Sequence, residues 1–461
     1  MVFSSIFFIF CFLPVFMLIY YLLPGKFRNI ALVLGSFIFY AWGEPVYVIL
    51  MLFSSLFNYY MAMELDRSDS EKSRKGNLIF AIVINLFILV FFKYFGFLLD
   101  SLGSVIGVTI PHPELSLPIG LSFYTFKNLS YIFDVYMEKI ASQHNFLTFA
   151  VYSTMFPHMA AGPIVRYADI EEQLERRPLS ITKFGIGAEL FIKGLAKKVL
   201  LADNLAGIFA DISSVGSMSV LTSWIGVFTF TMQIYFDFSG YSDMAIGLGK
   251  MLGFDFQKNF DYPYTSTSVS EFWRRWHISL GSWFRDYIYI PLGGNQGSKI
   301  QHIRNILIVW ALTGLWHGAS WNFVFWGLYY GLFLLLEKYV LKHFLPRLPD
   351  FVCQIYTMLA VMIGWVFFSQ TSFSALGSYL GALFGIGASG FADTAALYYL
   401  RSGLILFIIS ILACRPGLYQ RFKRFLQRRP RAAIAVNLIL LALSIAFMVY
   451  NSYTPFLYLK F

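Results

Sequence analysis

One histidine, His317, stands in the run Thr313-Gly314-Leu315-Trp316-His317-Gly318-Ala319-Ser320-Trp321-Asn322. Imidazole is the side chain whose ordinary titration range lies nearest neutral pH. Away from water its neutral form is favoured, and a neutral ring can take a proton from a hydroxyl as a general base. Gly314 and Gly318 bare the backbone beside it, and Trp316 and Trp321 can wall a pocket. The plainer alternative is a core histidine hydrogen-bonded to a neighbouring helix.

A second histidine, His277, lies in Phe272-Trp273-Arg274-Arg275-Trp276-His277-Ile278-Ser279-Leu280. Alone it would read as interfacial, with Arg274 and Arg275 reaching for headgroups. Two histidines in broken, tryptophan-rich stretches make a shared site the sharper reading. They do not make a metal site, since neither has a carboxylate at helical ligand spacing. Arg285-Asp286 reads first as a local ion pair closing a turn before Pro291-Leu292-Gly293-Gly294, and second as a contact for a donor phosphate. Asp237 and Asp243 flank Phe238-Ser239-Gly240-Tyr241-Ser242, where the pattern predicts a helix break that they would cap.

What positions these residues is a membrane. The 461-residue chain is 58% hydrophobic and only 13% charged, with a mean hydropathy of +0.64. Its apolar runs are continuous and approach the ~20 residues that cross ~30 Å of hydrocarbon. Alternation of the β-barrel kind is absent from them. The net charge of +10 belongs to short membrane-flanking loops, which suits anionic lipid and an anionic cytosolic donor rather than nucleic acid. Cys11, Cys353 and Cys414 all lie in apolar runs and are expected to be buried free thiols. Residues 1–23 lack a basic leader and a small-residue cleavage site, so they read as a retained first helix.

Lysine and arginine set the topology. Residues 30–42 and 47–63 are two helices broken at Gly43-Glu44-Pro45, and the loop 64–75 is cytoplasmic. Residues 146–163, interrupted by Pro157 and Gly162-Pro163, form a re-entrant segment, and the charged stretch 262–294 is a re-entrant or interfacial element facing a polar cavity. Residues 184–212, with Lys193, Lys197 and Lys198, are amphipathic and lie along the interface. The stretch from Arg304 to His317 dips in and residues 321–336 return. At 1.5 Å per residue that puts His317 roughly 20 Å from the flank, well inside the core. The basic loop 415–431 is the firmest cytoplasmic marker, and the tail 451–461 falls on the outer face. The expectation is an all-α polytopic membrane protein, one membrane domain over residues 1–461 with about 11 crossings plus re-entrant pieces.

Further motifs are Ala161-Gly162-Pro163-Ile164-Val165-Arg166-Tyr167 and Phe236-Asp237-Phe238-Ser239-Gly240-Tyr241-Ser242-Asp243. Together with the stretches around His277, Trp283-Phe284-Arg285-Asp286-Tyr287, Pro291-Leu292-Gly293-Gly294 and Trp316-His317-Gly318, they span most of the chain. The set resembles the membrane-bound O-acyltransferase (MBOAT) family, in its bacterial alginate O-acetyltransferase (AlgI-like) branch. The resemblance implies a ring of helices around a central tunnel, in a bacterial plasma (inner) membrane. It implies that His317 is catalytic, with His277 the second family histidine. Trp316, Gly318, Asn322, Trp276, Arg285 and Asp286 are then the candidates for contact with substrate or tunnel.

The branch takes an acyl group from a cytosolic thioester, acyl-CoA (acetyl-CoA) or an acyl-carrier protein, and holds no bound cofactor. It delivers the group to hydroxyls of an extracytoplasmic polysaccharide, with an SGNH- or GDSL-like partner. The end of the tail, Phe456-Leu457-Tyr458-Leu459-Lys460-Phe461, resembles the C-terminal motif of the relay peptide of teichoic-acid D-alanylation. It departs from that motif at Leu459 and Lys460, and Tyr458 is the implied acyl carrier. The alternatives are D-alanyl transfer to teichoic acid and, from another class, a polysaccharide exporter using the same broken helices.

Overall fold

The computed structural model describes residues 1–370, 372–450 and 456–457. The described residues form helices and connecting loops. Five helices are long and apolar enough to cross a membrane: Val48–Arg67, Glu71–Lys93, Asp350–Ser369, Thr394–Ala413 and Pro430–Tyr450. A sixth is added if Trp321–Tyr339 and Leu341–Arg347, bent by 52°, count as one span. This is a multi-pass membrane protein. The sequence expectation of about 11 crossings is a finer count than these five or six spans, which are judged by length and apolar character alone. Outward faces of the long helices are apolar, as at Ile434, Leu438 and Val449 on Pro430–Tyr450, which suits contact with lipid rather than water.

The described chain divides into two compact units. The first holds residues 1–191 and 243–257. Its inner packing is polar at several points, because side chains in a membrane must satisfy one another. Asn58 and Asn85 exchange amide hydrogen bonds of 3.1 and 2.8 Å between two of the spans. Lys127, fully buried, donates to Ser153 O and contacts His158 Nδ1, both at 2.9 Å. Residues 146–163 do not form one continuous helix. Helix Phe146–Thr154 has nine residues, about 14 Å of rise, and then gives way to the 3-10 turn Phe156–His158. The expected break at residues 43–45 is present between Arg28–Ala41 and Val48–Arg67.

The second unit holds, of the described residues, 192–242, 258–370, 372–450 and 456–457. Two expectations are corrected in it. Residues 238–243 do not break a helix: Val220–Met251 runs through them without interruption. A Cβ on Gly240 would sit 2.7 Å from Gly194 O, so this small-residue stretch is where a neighbouring backbone crosses closely. Lys198, read as interfacial, is instead buried inside the unit. It falls in a π-helical turn, Lys197–Ala202, and its side chain is 2% exposed, between Asp203 and Asp237 at 2.7 Å each. Asp237 is thus an ion-pair partner rather than a helix cap. Among the cysteines, Cys353 and Cys414 are buried but Cys11 is exposed, on the apolar N-terminal helix.

Candidate active site

His317 is the last residue of helix Lys299–His317, and Trp321–Tyr339 returns antiparallel to it. The two helices pack backbone to backbone. A Cβ on Gly314 would stand 2.1 Å from Phe323 O, and one on Gly327 2.0 Å from Trp310 O. Gly318 faces the Phe323 ring, 2.2 Å from where its Cβ would be. The glycines around His317 therefore serve the close packing of the two helices. Ser320 caps the returning helix through the Asn322 amide. Buried Asn322 donates to Gln370 O at 2.7 Å and so ties the turn to the end of Asp350–Ser369. At the base, His302 joins the helices through Lys338 Nζ and Tyr339 OH, both 2.8 Å away.

The ring of His317 is enclosed by aromatic faces. Trp316 lies 5.0 Å away, Trp326 4.9 Å and Phe368 5.4 Å between ring centres, all edge to face. Only 3% of the residue is exposed. The Trp326 indole Nε1 is buried and finds no acceptor among the described residues.

His277 arrives on different elements. It joins two short helices, Val269–Arg275 and Ile278–Phe284, at φ 44° and ψ 55°. A left-handed conformation at a non-glycine residue holds only where its surroundings impose it. Here the loop does so. Ile278 N donates to Asn259 O, and Asp261 N to Arg275 O, both at 2.9 Å. Asn259 Oδ1 accepts from Ser279 N at 3.1 Å, from Ser279 Oγ at 2.9 Å and from His277 Nδ1 at 3.2 Å. Its Nδ2 donates to Ser242 Oγ at 3.0 Å. A main-chain N–H can only donate, so the atom beside Ser279 N must be the amide oxygen, and the Nδ1 facing that oxygen must carry the proton. In the neutral ring the proton-accepting nitrogen is then Nε2.

The two histidines meet through one residue. Trp316 stands edge-on to His277 with ring centres 5.9 Å apart, and to His317 at 5.0 Å. Both histidines are nearly dry, at 2% and 3% exposure. The helix Val269–Arg275 that leads to His277 is capped from the hairpin that carries His317. Glu337 accepts Val269 N at 2.6 Å and Ser270 N at 2.8 Å, while Ser268 Oγ accepts Glu271 N at 3.0 Å. The helix Glu337 caps is 67 to 68 residues away, so no local signal marks its role.

The other candidates are less central. Arg285 and Asp286 pair at 2.6 Å, in the local manner the sequence suggested, with Arg285 largely exposed. The following turn, with Gly293 and Gly294 at positive φ, is pinned by Asn305 Nδ2 to Leu292 O and Gly294 O. Trp276 is 1% exposed within an aromatic core, 5.0 Å from Trp365 and 5.1 Å from Phe260. Tyr458 lies outside the described residues. Among those described, no group of three or more His, Cys, Asp or Glu is placed to hold a metal ion.

The profile of the membrane-bound O-acyltransferase family matches residues 45–380, which include both histidines and the hairpin. The chain belongs to this family. It is an O-acyltransferase. It is similar, at 40% identity over 94% of this chain and 85% of the relative, to a Pseudomonas aeruginosa protein described as probable alginate O-acetylase AlgI. It is 31% identical to the peptidoglycan O-acetyltransferase of Helicobacter pylori, over 84% of this chain and 80% of that one. Similarity to the teichoic acid D-alanyltransferase of Bacillus subtilis is 28% over 57% of this acyltransferase and 71% of that protein.

Proposed function

We propose that this acyltransferase moves an acyl group, with acetyl the first candidate, from a cytosolic thioester across the plasma (inner) membrane to hydroxyls of an extracytoplasmic polysaccharide. The observation that carries the reading is the contact of His277 and His317 with the same tryptophan in a dry aromatic enclosure. Acetyl transfer is favoured over D-alanyl transfer by the relatives named for O-acetylation, which are more similar and cover more of the chain. The donor is acyl-CoA or an acyl-carrier thioester. The final step uses an SGNH- or GDSL-like partner or Tyr458. The helices form a ring around a tunnel in which donor and acceptor meet.

In the proposed step the acceptor hydroxyl gives its proton to His317 as its oxygen attacks the thioester carbonyl. The tetrahedral oxyanion collapses, the C–S bond breaks, and the proton on His317 passes to the leaving thiolate. The products are an oxygen ester and a free thiol. His277, held in one tautomer by Asn259, orients the acceptor or relays a proton. The Trp326 N–H, buried beside His317, is suited to donate to the developing oxyanion.

The test is transfer of radiolabelled acetyl from acetyl-CoA to polysaccharide by purified protein in liposomes. His317→Ala is expected to lower the rate by about 100- to 10,000-fold, the usual loss for a general base. Wild-type transfer by a folded His317→Ala protein would exclude the assignment, and transfer from labelled D-alanyl-carrier thioester with none from acetyl-CoA would replace the donor.

A further inference from the structure

The ion pair inside the second unit has one carboxylate more than it has cations. Lys198 Nζ is 2.7 Å from Asp203 Oδ1 and 2.7 Å from Asp237 Oδ1. The side chains of Lys198 and Asp237 are 2% and 3% exposed. An excess buried carboxylate is costly unless its remaining lone pairs are met. They are met from the other end of the chain. Leu457 N donates to Asp237 Oδ2 at 2.8 Å, across 220 residues. The preceding residue, Phe456, is 2% exposed. Its ring centre lies 4.7 Å from Lys198 Nζ and 4.6 Å from the Tyr241 ring, edge to face. Lys198 owes its position to the π-helical turn Lys197–Ala202, a local widening that recurs at functional sites.

We infer that Lys198, Asp237 and Tyr241 form a built receptor for the C-terminal segment, with Phe456-Leu457 bound in it as an intramolecular peptide ligand. Its recognition is of a definite class. The cation and Tyr241 take an aromatic ring, and the free carboxylate oxygen takes the main-chain N–H of the next residue. On the acyl-transfer reading, on which this one step rests, the receptor fixes the chain immediately before Tyr458 and so positions the tail for transfer. Lys198 and Asp237 are then positioning residues.

The docking is tested on the full chain in detergent by amide hydrogen exchange at Leu457, read by fragmentation mass spectrometry. In wild type the amide is expected to be protected by at least about 10-fold against a free peptide of the tail sequence. Phe456→Ala, which leaves the ion pair intact, is expected to abolish most of that protection without changing exchange elsewhere. Asp237→Leu should do the same at Leu457. Its companion Asp237→Asn, which keeps an acceptor oxygen, should retain part of the protection and guards against loss of fold. A Leu457 amide that exchanges at the free-peptide rate in wild type would overturn the receptor, as would protection unchanged in Phe456→Ala.

The positioning role is tested separately with Leu457→Pro, which deletes the donor and touches nothing in the receptor. Transfer to polymer should fall by at least about 10-fold in kcat, with the donor KM unchanged, as expected for an interaction lost after donor binding. Full activity in this variant would remove the positioning role. If the wild-type protein transfers no acyl group to polymer, the acyl-transfer reading fails, while the exchange result still decides the docking.

Discussion

Glu337, at the far end of the hairpin that carries His317, accepts the Val269 amide at 2.6 Å and so caps the helix that leads to His277. The geometry between the two histidines is therefore set from two sides. Trp316 touches both rings directly, and Glu337 secures the element that brings one of them in. Glu337→Ala is expected to destabilise the protein by about 3 kcal/mol, since it leaves two amides without a charged acceptor. Glu337→Gln, which keeps one acceptor oxygen, should cost about half as much. Thermal unfolding in detergent measures both. Equal stability of wild type and Glu337→Ala would mean that the cap carries nothing.

Asn259 gives a second prediction. Its role is to hold His277 in one tautomer and orientation, so Asn259→Ala should lower kcat by about 10- to 100-fold. That is less than the full loss of an acid–base group. The donor KM should barely move. A KM change with kcat intact would reassign Asn259 to substrate binding.

The hairpin predicts a steric effect. Gly314→Ala would place a methyl carbon 2.1 Å from Phe323 O, a backbone atom that no rotamer change can move. Helix separation must increase, at about 1–3 kcal/mol for an overpacked core. Because His317 is three residues on, transfer activity should fall together with stability. A stable, fully active Gly314→Ala protein would show that the helices separate freely.

One prediction concerns pH. Asp393 caps Thr394–Ala413 through Ala396 N at 2.8 Å and also accepts from Thr222 Oγ1 and Ser219 N. Burial alone would raise its carboxyl, but the Thr222 hydroxyl and the Ala396 and Ser219 amides hold it below the usual carboxylate range. A lowered folded-state value means that its stabilisation is complete above the unfolded value near ~4 and is lost as pH falls below it. The midpoint of thermal unfolding should therefore drop from pH 5 to pH 3. Asp393→Asn should flatten part of that drop and cost about 0.5–1 kcal/mol at neutral pH. Parallel pH profiles for the two proteins would assign the drop to other groups.

Much of the site was legible in the sequence because its signals are local. The break at Gly43-Glu44-Pro45, the short pieces around His277, the Arg285–Asp286 pair and the hairpin ending at His317 all come from neighbouring residues. Partnerships across long separations were not legible. Ser239-Gly240 resembles a helix breaker, and only the nearness of Gly194 O reveals it as a crossing point. Lys198 looks interfacial until Asp203 and Asp237 are seen beside it.

Ser279 carries a consequence for how this site can change over generations. The tautomer of His277 is decided by the main-chain amide at position 279, which turns the Asn259 oxygen toward the ring. Every amino acid except proline brings that amide. Position 279 can therefore drift through most side chains without altering which nitrogen of His277 bears the proton, whereas position 259 has almost no such freedom.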